Sequence, residues 1–301
     1  MSTPRPQRLF VTGGRGRLAS LVADHFRAPA HAVTLFSRTG GPGFQPFATL
    51  PRPAALAGAD AVFHLAWSTL PATSERDGGS EAQVDLPALE DILRALVALP
   101  AAARPLFVFF SSGGTVYGNA PGRPNVETDP CRPIGHYGRA KLAAEEIIGR
   151  YSAQHGLRSV ILRVSNPYGY PVPSSRAQGL IPHALRCGVS GQPLTLWGDG
   201  SARKDFLYYT DFLSALELVL GHGLTGTFNL SAGESHRVDE VIRLAEHELG
   251  RPIALQHAPA PAWDVHDSRL ANDRFRAATG WCAQVPLAEG VRRAATGYAA
   301  H

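Results

Sequence analysis

Short apolar runs alternate with longer amphipathic segments over the first two thirds of the chain. Runs rich in β-branched and aromatic residues predict strands at residues 8–12, 32–36, 61–66, 106–112 and 159–164. Segments with apolar residues at helical spacing predict helices at residues 17–28, 81–99 and 136–156. Because strands that alternate with helices are typical of a parallel sheet covered on both faces, the pattern predicts an α/β fold with a doubly wound parallel sheet.

The character of the chain changes after Asn166. Pro, Gly and Ser interrupt residues 166–179, and the segments that follow are shorter and more mixed. We therefore predict a main domain over residues 1–166 and a smaller α/β lobe built mainly from residues 167–301. Some segments of this lobe are expected to return to the main sheet.

Composition excludes several classes of function. The 301 residues carry a net charge of +4, and the basic residues are spread along the chain, which argues against nucleic-acid binding. The three cysteines lie far apart and the twelve histidines form no metal-type cluster, so we expect no disulfide framework and no metal site. The apolar runs are too short to span a membrane, and the first residues lack the apolar core of a signal peptide. We expect a cytoplasmic protein.

A glycine-rich loop, VTGGRGRLAS at residues 11–20, follows the first predicted strand and opens the first predicted helix. Glycines in this context allow the backbone to approach a pyrophosphate, which then lies at the helix N-terminus. A plain glycine-rich turn is the alternative interpretation. The candidate cofactor-binding residues of the loop are Gly13, Arg15, Gly16, Arg17 and Leu18.

The end of the second predicted strand bears on the choice of dinucleotide. Enzymes that use NAD usually place an acidic residue about 20 residues beyond the glycines, where it binds the ribose 2′-hydroxyl. This chain has Ser37 and Arg38 there, and both could bind a 2′-phosphate. The pair favours NADP over NAD, unless Arg38 is only a solvated loop residue.

Tyr137 and Lys141 are four residues apart in the third predicted helix, so they lie on one face. A nearby ammonium favours the phenolate and lowers the pKa of a tyrosine, which then becomes usable as a base. A YxxxK pair on a helix is mostly structural when it occurs alone. The order of the surrounding motifs therefore decides its meaning.

Several motifs occur in a defined order over nearly the whole chain. They are HLAW (64–67), SSGGTVYG (111–118), YGRAK (137–141), LRVSNPYG (162–169), LWGDGSARKDFLYYTD (196–211), FNLSAGE (228–234) and GWCAQVPLAEGV (280–291). Together they resemble the extended short-chain dehydrogenase/reductase family, specifically its nucleotide-sugar epimerases and dehydratases.

This resemblance implies a Rossmann domain with a C-terminal substrate lobe, and a nucleotide-diphosphate sugar as substrate. Tyr137 would be the general acid and base, and Lys141 would orient the cofactor ribose and tune the tyrosine. Leu65 and Ala66 would also contact the cofactor. The resemblance further implies a homodimer that forms through the helices at 81–99 and 136–156.

The substrate would contact residues from several motifs. By the resemblance, Asn166 would bind the sugar nucleotide, and a cation in the segment at 196–211 would meet the diphosphate. Lys204 aligns with the usual arginine and Arg203 lies beside it, so either could make the contact. Trp67 would line the nicotinamide pocket, or it is a core residue.

The motif at 111–118 departs from the family. Gly113 stands where the family has a Ser or Thr that holds the reacting oxygen. If the strand continued, side-chain alternation would put Thr115 on the same side, so we favour Thr115 as the replacement and Ser112 next. The third possibility is that no hydroxyl replaces it. Gly114 and Thr115 occupy the positions of the acid pair of sugar dehydratases, which disfavours dehydration.

Two further departures concern the cofactor. Asp85 replaces an asparagine that the family usually has near the start of the helix at 81–99. The Asp that usually follows the third strand has no clear match in the segment FQPFATLPRP, which weakens the expectation of adenine binding.

Three functions remain in competition. We favour a UDP-hexose-type 4-epimerase that acts through a transient 4-keto sugar. The alternative within the same fold is an NADPH-dependent reductase of a 4-keto nucleotide sugar, which Ser37 and Arg38 support. A non-catalytic dinucleotide-sensing protein is the alternative of another class, although it would need neither Tyr137 nor Lys141.

Overall fold

The computed structural model describes residues 6–27, 31–170 and 179–299. The strands are β1 Arg8–Thr12, β2 Ala32–Ser37, β3 Phe44–Pro46, β4 Ala61–His64, β5 Leu106–Ser112, β6 Ser159–Val164, β7 Asn166–Tyr168, β8 Leu194–Trp197, β9 Arg203–Tyr208, β10 Gly226–Leu230, β11 Ser235–Arg237 and β12 Leu255–Ala258. The helices are α1 Arg17–Arg27, α2 Pro53–Leu56, α3 Pro71–Arg76, α4 Glu81–Val97, α5 Gly113–Val116, α6 His136–His155, α7 Leu180–Ser190, α8 Tyr209–His222, α9 Val238–Leu249, α10 Asp273–Thr279 and α11 Leu287–Ala299.

Seven strands form the main sheet in the order β10-β6-β5-β4-β1-β2-β3. The pairings from β5 to β3 are parallel. β4 and β6 are buried along their whole length, as is typical of parallel strands covered on both faces. The predicted doubly wound sheet is confirmed.

Helical spacing accounts for the helices that cover this sheet. In α1 the buried residues are Ala19, Val22, Ala23 and Phe26, which recur at intervals of three and four and form one apolar face. In α4 the residues Leu89, Ile92, Leu93 and Leu96 repeat the same spacing. All five predicted strands and all three predicted helices are present with small shifts at their ends, and the predicted end of the first helix at residue 28 lies outside the described residues.

The chain divides into two compact units that alternate along the sequence. The first unit comprises residues up to Ser111, His136–Leu162 and Val219–Thr227; the second comprises Ser112–Gly135, Arg163–Leu218 and residues from Phe228 onward. The division at residue 166, with some later segments returning to the main sheet, stays a prediction. In the two units, the segment 112–135 belongs with the later residues and the segment 219–227 with the earlier ones. Apolar periodicity cannot show such an exchange, since it reports only local structure.

Each unit has its own apolar core. In the first unit, Phe107, Phe109, Leu89 and Ile92 are fully buried between the sheet and the helices. The second unit contains a three-stranded sheet in the order β11-β9-β7 and a two-stranded sheet of β12 and β8. Its core is formed around Leu185, with α7, α9 and α11 contributing buried side chains. Within the described residues, every helix is too short or too polar to cross a bilayer.

Arg104 ties together the C-terminal ends of α4 and α6 in the first unit. Its guanidinium donates to the carbonyl oxygens of Val97 at 2.8 Å, Leu99 at 3.0 Å and His155 at 2.5 Å. Carbonyls at a helix end have no partner within the helix, and a cation there also interacts favourably with the helix dipole.

Arg104→Ala is therefore expected to lower the free energy of unfolding by about 1–2 kcal/mol, measured by urea denaturation. Arg27→Ala is the matched control, because Arg27 forms an exposed ion pair with Asp24 within α1. Equal effects of the two substitutions would contradict a capping role for Arg104.

Candidate active site

The glycine loop leaves no room for a side chain at Gly13. This residue has φ +72°, and a Cβ there would lie 2.9 Å from the backbone nitrogen of Ala66. The Gly16 N–H donates to the Gly13 carbonyl at 2.6 Å, which closes the turn before α1. Ala66 N–H also donates to Thr12 Oγ1 at 3.0 Å. The ends of β1 and β4 are thus held together, which brings Leu65 and Ala66 beside the loop.

His64 supports the same junction from within the sheet. Its Nδ1 lies 3.0 Å from Thr12 Oγ1, and burial together with the positive charge of Lys141 lowers the pKa of His64 to about 3. The ring is therefore neutral at physiological pH and serves the packing of the loop.

Ser37, at the end of β2, Arg38, just after it, and Arg15, in the glycine loop, are three of the predicted cofactor residues. Ser37 is buried, and its Oγ has no hydrogen-bond partner among the described residues. Arg38 is exposed. Arg15 donates to the Gly40 carbonyl at 2.8 Å and lies 4.8 Å above the Phe44 ring, so the loop after β2 is in contact with the glycine loop.

The next two residues of the loop begin α1. Arg17 is half-buried, and its Nη1 is buried without a hydrogen-bond partner among the residues that the structure describes. Leu18 is half-buried in the first turn of the helix. A buried guanidinium nitrogen without an acceptor is costly, so its position is suited to a bound anion or another acceptor.

Tyr137 and Lys141 lie on one face of α6, as their spacing predicted. The Lys141 Nζ is buried, donates to the Phe110 carbonyl at 2.9 Å and lies 5.7 Å from the centre of the Tyr137 ring. The Trp67 ring is closer, at 3.7 Å from the ammonium, and the Phe109 ring lies at 4.9 Å. The ammonium is therefore surrounded by aromatic faces and one carbonyl.

The electrostatic setting of this pair differs from the expectation. Burial lowers the pKa of Lys141 to about 7, while the charges of Asp85, Glu145 and Glu81 oppose that change. The pKa of Tyr137 is raised, first by burial and then by Glu81 and Asp85. The expectation of a lowered Tyr137 pKa is thus wrong for this structure, because burial and the two carboxylates raise it.

Two acidic residues of α4 face the loop that follows β4. Asp85 accepts hydrogen bonds from the Ser68 N–H at 2.9 Å and from Ser68 Oγ at 2.5 Å. Glu81 accepts one from Thr69 Oγ1. Burial raises the pKa of Asp85. Burial also acts to raise the pKa of Glu81, but its hydrogen bonds outweigh this effect and hold the pKa below its usual range.

Sequence reasoning singled out Asp85 only as a departure and missed Glu81. The available signal was their spacing of four, which puts both carboxylates on one face of a helix whose other buried residues are apolar.

The segment around Gly113 also corrects a prediction. β5 ends at Ser112, and residues Gly113–Val116 form a helical turn, in which Thr115 Oγ1 donates to the Ser112 carbonyl at 3.5 Å. Strand alternation therefore does not extend to Thr115, and the argument that placed its side chain by alternation is wrong. Ser111 donates to Glu145 within the first unit.

Packing within the second unit leaves no space for a side chain at position 113. A Cβ there would lie 2.4 Å from Leu270 Cδ1 and 2.9 Å from the Arg163 carbonyl oxygen. Glycine at this position is thus required by packing, and the volume that a Ser or Thr would need is occupied.

The predicted substrate residues lie in the second unit. Asn166 Nδ2 donates to the Asp205 carbonyl at 2.7 Å. Lys204 Nζ donates to Asp264 Oδ1 at 3.0 Å and to the Val265 carbonyl. The Arg203 side chain is exposed and has no such partner among the described residues. Of the two candidate cations, Arg203 is therefore the one whose charge is not already compensated.

No group of His, Cys, Asp and Glu in the described ranges is arranged to hold a metal ion. The chemistry available in the first unit is thus that of a phenol, an ammonium and a phosphate-binding loop.

Comparisons with known proteins agree with this chemistry. The NAD dependent epimerase/dehydratase family matches residues 9–231. The chain is 27% identical over 305 residues to a UDP-glucose 4-epimerase of Mycolicibacterium smegmatis, which covers 95% of this chain and 96% of that protein. It is 29% identical over 185 residues to a dTDP-4-dehydro-6-deoxyglucose reductase of Escherichia coli, which covers 61% of this chain and 58% of that protein. The solved structure of the UDP-glucose 4-epimerase of Thermus thermophilus in complex with NAD is similar with a TM-score of 0.86 and 27% identity, over 97% of this chain and 99% of that one.

Proposed function

This chain belongs to the NAD-dependent epimerase/dehydratase family, and we propose that it is a nucleotide-sugar 4-epimerase that acts on a UDP-hexose-type substrate through a transient 4-keto sugar. The observation that carries the proposal is the pair of Tyr137 and Lys141 on one face of α6, with the Lys141 ammonium anchored to the Phe110 carbonyl. Full-length similarity to a UDP-glucose 4-epimerase supports the same choice.

The first unit fits a nicotinamide dinucleotide. Its buried polar atoms without a hydrogen-bond partner among the described residues include Arg17 Nη1, Ser37 Oγ and Trp67 Nε1. A dinucleotide supplies phosphate, ribose and carboxamide oxygens that can accept hydrogen bonds from such groups. Gly13 adds a backbone that can approach a ligand closely. These residues, with Gly16, Leu65 and Ala66, would hold the cofactor.

Each side chain then has a defined task. Bound NAD(P) would supply the hydride acceptor and donor for C4 of the sugar. Tyr137 would move the proton at the C4 oxygen, and Lys141 would orient the ribose through its remaining N–H groups. Thr115 and Ser112 are the two candidates that would hold the C4 oxygen in place of the side chain that Gly113 lacks. Asn166, Arg203 and Lys204 would bind the sugar nucleotide, with Arg203 the favoured partner of the diphosphate.

A panel of nucleotide sugars tests the proposal. The purified protein is incubated with each sugar, and both product stereochemistry and nicotinamide absorbance are followed. An epimerase returns its hydride, so UDP-glucose or a relative should interconvert with its C4 epimer without a net absorbance change. Stoichiometric consumption of NADPH with a 4-keto sugar, and no epimer, would replace the epimerase by the reductase. Inactivity across the whole panel would favour the non-catalytic dinucleotide-sensing protein.

Two observations favour the reductase as a second candidate. The raised pKa of Tyr137 keeps its phenol protonated, which suits proton donation to a ketone oxygen. Arg15 and Arg38, with the unpartnered Ser37 hydroxyl, would surround a 2′-phosphate and favour NADP. A dTDP-4-dehydro-6-deoxyglucose reductase is among the relatives.

Arg38→Asp tests the cofactor preference directly. The parent protein is expected to bind NADPH more tightly than NADH, and the variant should reverse this order, because a carboxylate repels a phosphate and accepts a hydrogen bond from a ribose hydroxyl. Fluorescence titration with both cofactors measures the two Kd values. Arg52→Asp is a control for the change of charge, since Arg52 is an exposed residue before α2. Equal affinities in the parent protein would make Arg38 a solvated loop residue.

We also propose a homodimer that forms through α4 and α6. Val84 of α4 is 50% exposed despite its apolar side chain, and Leu142, Ala143 and Ile147 of α6 are only half-buried. A cytoplasmic location is proposed with it, because all three cysteines are free thiols.

Sedimentation velocity at micromolar concentration is expected to show a dimer. Val84→Asp should convert it to a monomer, because the substitution puts a charge into the apolar contact. Leu255→Asp is the matched control, since Leu255 is a similarly exposed apolar residue on β12 of the second unit. A parent protein that sediments as a monomer would end this proposal.

A further inference from the structure

The loop that follows β4 is fixed to α4 by hydrogen bonds to carboxylates. Ser68 donates to Asp85 through both its backbone N–H and its hydroxyl, and Thr69 donates to Glu81. Asp85 and Glu81 are buried, and they lie one helical turn apart. Hydrogen bonds to ionised carboxylates are the stronger ones in proteins, so this loop has a defined position relative to α4.

The residue that precedes Ser68 is Trp67, and its ring lies against Lys141. The ammonium is 3.7 Å from the ring centre, and the edge-to-face contact of Trp67 with Phe109 at 5.9 Å fixes the ring plane. A cation over an aromatic face is stabilised, and more strongly where water is excluded. Lys141 is such a case, because it is buried and has one carbonyl partner, that of Phe110.

We propose that Asp85 is a positioning residue for Lys141: its carboxylate fixes Ser68 and thereby holds the Trp67 ring against the ammonium, so that the lysine stays charged in a buried site. The catalytic meaning of this role rests on the proposed function, because a charged Lys141 is needed there to orient the ribose. The contacts themselves do not depend on it.

The charged groups around Lys141 determine in which direction its pKa should change when Asp85 is removed. Its titratable neighbours are Asp85 and Glu81 on α4, Glu145 and Tyr137 on its own helix, and His64 on β4. His64 is neutral, and the pKa of Lys141 is lowered to about 7 by burial. Asp85 is the first of the charges that raise it, so removal of Asp85 should lower the pKa of Lys141 further and leave more of the lysine uncharged at neutral pH.

The positioning role of Asp85 can be measured because the chain contains few lysines. Of the 29 Lys and Arg residues in the chain, only two are lysines, Lys141 and Lys204. An arginine stays protonated in proteins, and its larger planar group differs in shape from an ammonium, so a lysine has properties at position 141 that an arginine lacks. Protein labelled with 13C-lysine should therefore give two sets of side-chain Cε resonances, and Lys204, paired with Asp264 in the second unit, serves as an internal reference.

The experiment follows the Hε–Cε resonances of the labelled protein as a function of pH, without cofactor or substrate. In the parent protein, the Lys141 Hε resonances should lie upfield of those of Lys204 because of the Trp67 ring. Asp85→Asn should lower the titration midpoint of Lys141 by about one pH unit and reduce the upfield shift. Asp91→Asn is the matched control, because Asp91 is an exposed residue of α4 that pairs with Arg94. It should change neither quantity.

Ser68→Ala separates the effect of the Trp67 position from the effect of the Asp85 charge. It removes the hydroxyl bond to Asp85 but keeps the carboxylate, so the upfield shift should decrease and the midpoint should fall part of the way. It also provides a second test if Asp85→Asn does not fold, which the loss of the dispersed methyl spectrum would reveal. Trp67→Leu should remove most of the upfield shift. In the Trp67→Leu background, Asp85→Asn should lower the titration midpoint of Lys141 by less than it does in the parent protein.

Two outcomes would overturn the proposal. In the first, Asp85→Asn and Ser68→Ala each leave both the midpoint and the upfield shift unchanged, which would make Asp85 a structural residue of α4. In the second, Asp85→Asn lowers the midpoint while the upfield shift persists, which would show a direct charge effect without positioning of Trp67. Because the measurement uses neither substrate nor cofactor, its result is separate from that of the sugar panel: the positioning role can fail in an active epimerase, and it can hold in an inactive protein.

Discussion

Replacing Tyr137 by Phe is expected to lower kcat for the interconversion of C4 epimers by about 100-fold or more, with little change in the affinity for NAD(P)H. The substitution removes one hydroxyl group, which in the proposed reaction carries the proton to and from the sugar C4 oxygen. The aromatic ring remains, and so does its packing 5.7 Å from the Lys141 ammonium. Product analysis gives kcat, and the fluorescence change of NAD(P)H on binding gives Kd.

Tyr151→Phe is the matched control for this prediction. Tyr151 lies on the same helix, half-buried, with its ring 5.6 Å from that of His155. Removal of the Tyr151 hydroxyl group should leave kcat unchanged. If Tyr137→Phe also kept the kcat of the parent protein, another group would have to move the proton, and the proposed role of Tyr137 would be abandoned.

Local periodicity was enough to predict five of the seven strands of the main sheet and the helices α1, α4 and α6. α4 illustrates why: its buried residues Leu89, Ile92, Leu93 and Leu96 repeat at intervals of three and four, and this pattern depends only on the helix itself. Three-residue strands such as β3, β7 and β11 were not predicted, because so few residues show no period. Their formation depends on partners such as β2 and β9, which lie elsewhere in the chain.

The candidate site was predictable where spacing within one element determines it. Tyr137 and Lys141 share a helix face because of the helical repeat, and Gly13 was identified by its position between a strand and a helix. The contact of Trp67 with Lys141 was not predictable, because it joins a loop after β4 to α6, far along the chain. The spacing of the two carboxylates of α4 is visible in the sequence, but the loop that they bind was for the same reason not predictable.

At Gly113, the rule of side-chain alternation fails, and a residue far along the chain determines the packing. Alternation along β5 was extended past Ser112, but the glycines at 113 and 114 allow the backbone to enter a helical turn at once. Leu270 then occupies the volume beside Gly113, and nothing in the sequence near either residue indicates this contact. The chain therefore departs from its family at this position through packing as well as through chemistry.

Gly113→Ser is accordingly expected to destabilise the protein rather than to restore the hydroxyl group that the family has. The new Cβ would lie 2.4 Å from Leu270 Cδ1 and 2.9 Å from the Arg163 carbonyl oxygen. The leucine side chain can move away, but the carbonyl belongs to the backbone of the buried strand β6, so strain remains after the leucine has moved. Overpacking of this kind costs about 1–3 kcal/mol, which urea denaturation measures as a loss of unfolding free energy.

Gly114→Ser is the control that isolates this effect. A Cβ at Gly114 meets no atom within 4 Å, so the same hydroxymethyl group one residue later should change the unfolding free energy by less than about 0.5 kcal/mol. Leu270→Ala alone should be destabilising because it leaves a cavity. Combined with Gly113→Ser it should cost less than the sum of the two single changes, since the serine side chain then has part of its space. Additive costs, or a Gly113→Ser variant as stable as Gly114→Ser, would show that Leu270 and Arg163 do not exclude a side chain at position 113, and glycine there would need another explanation.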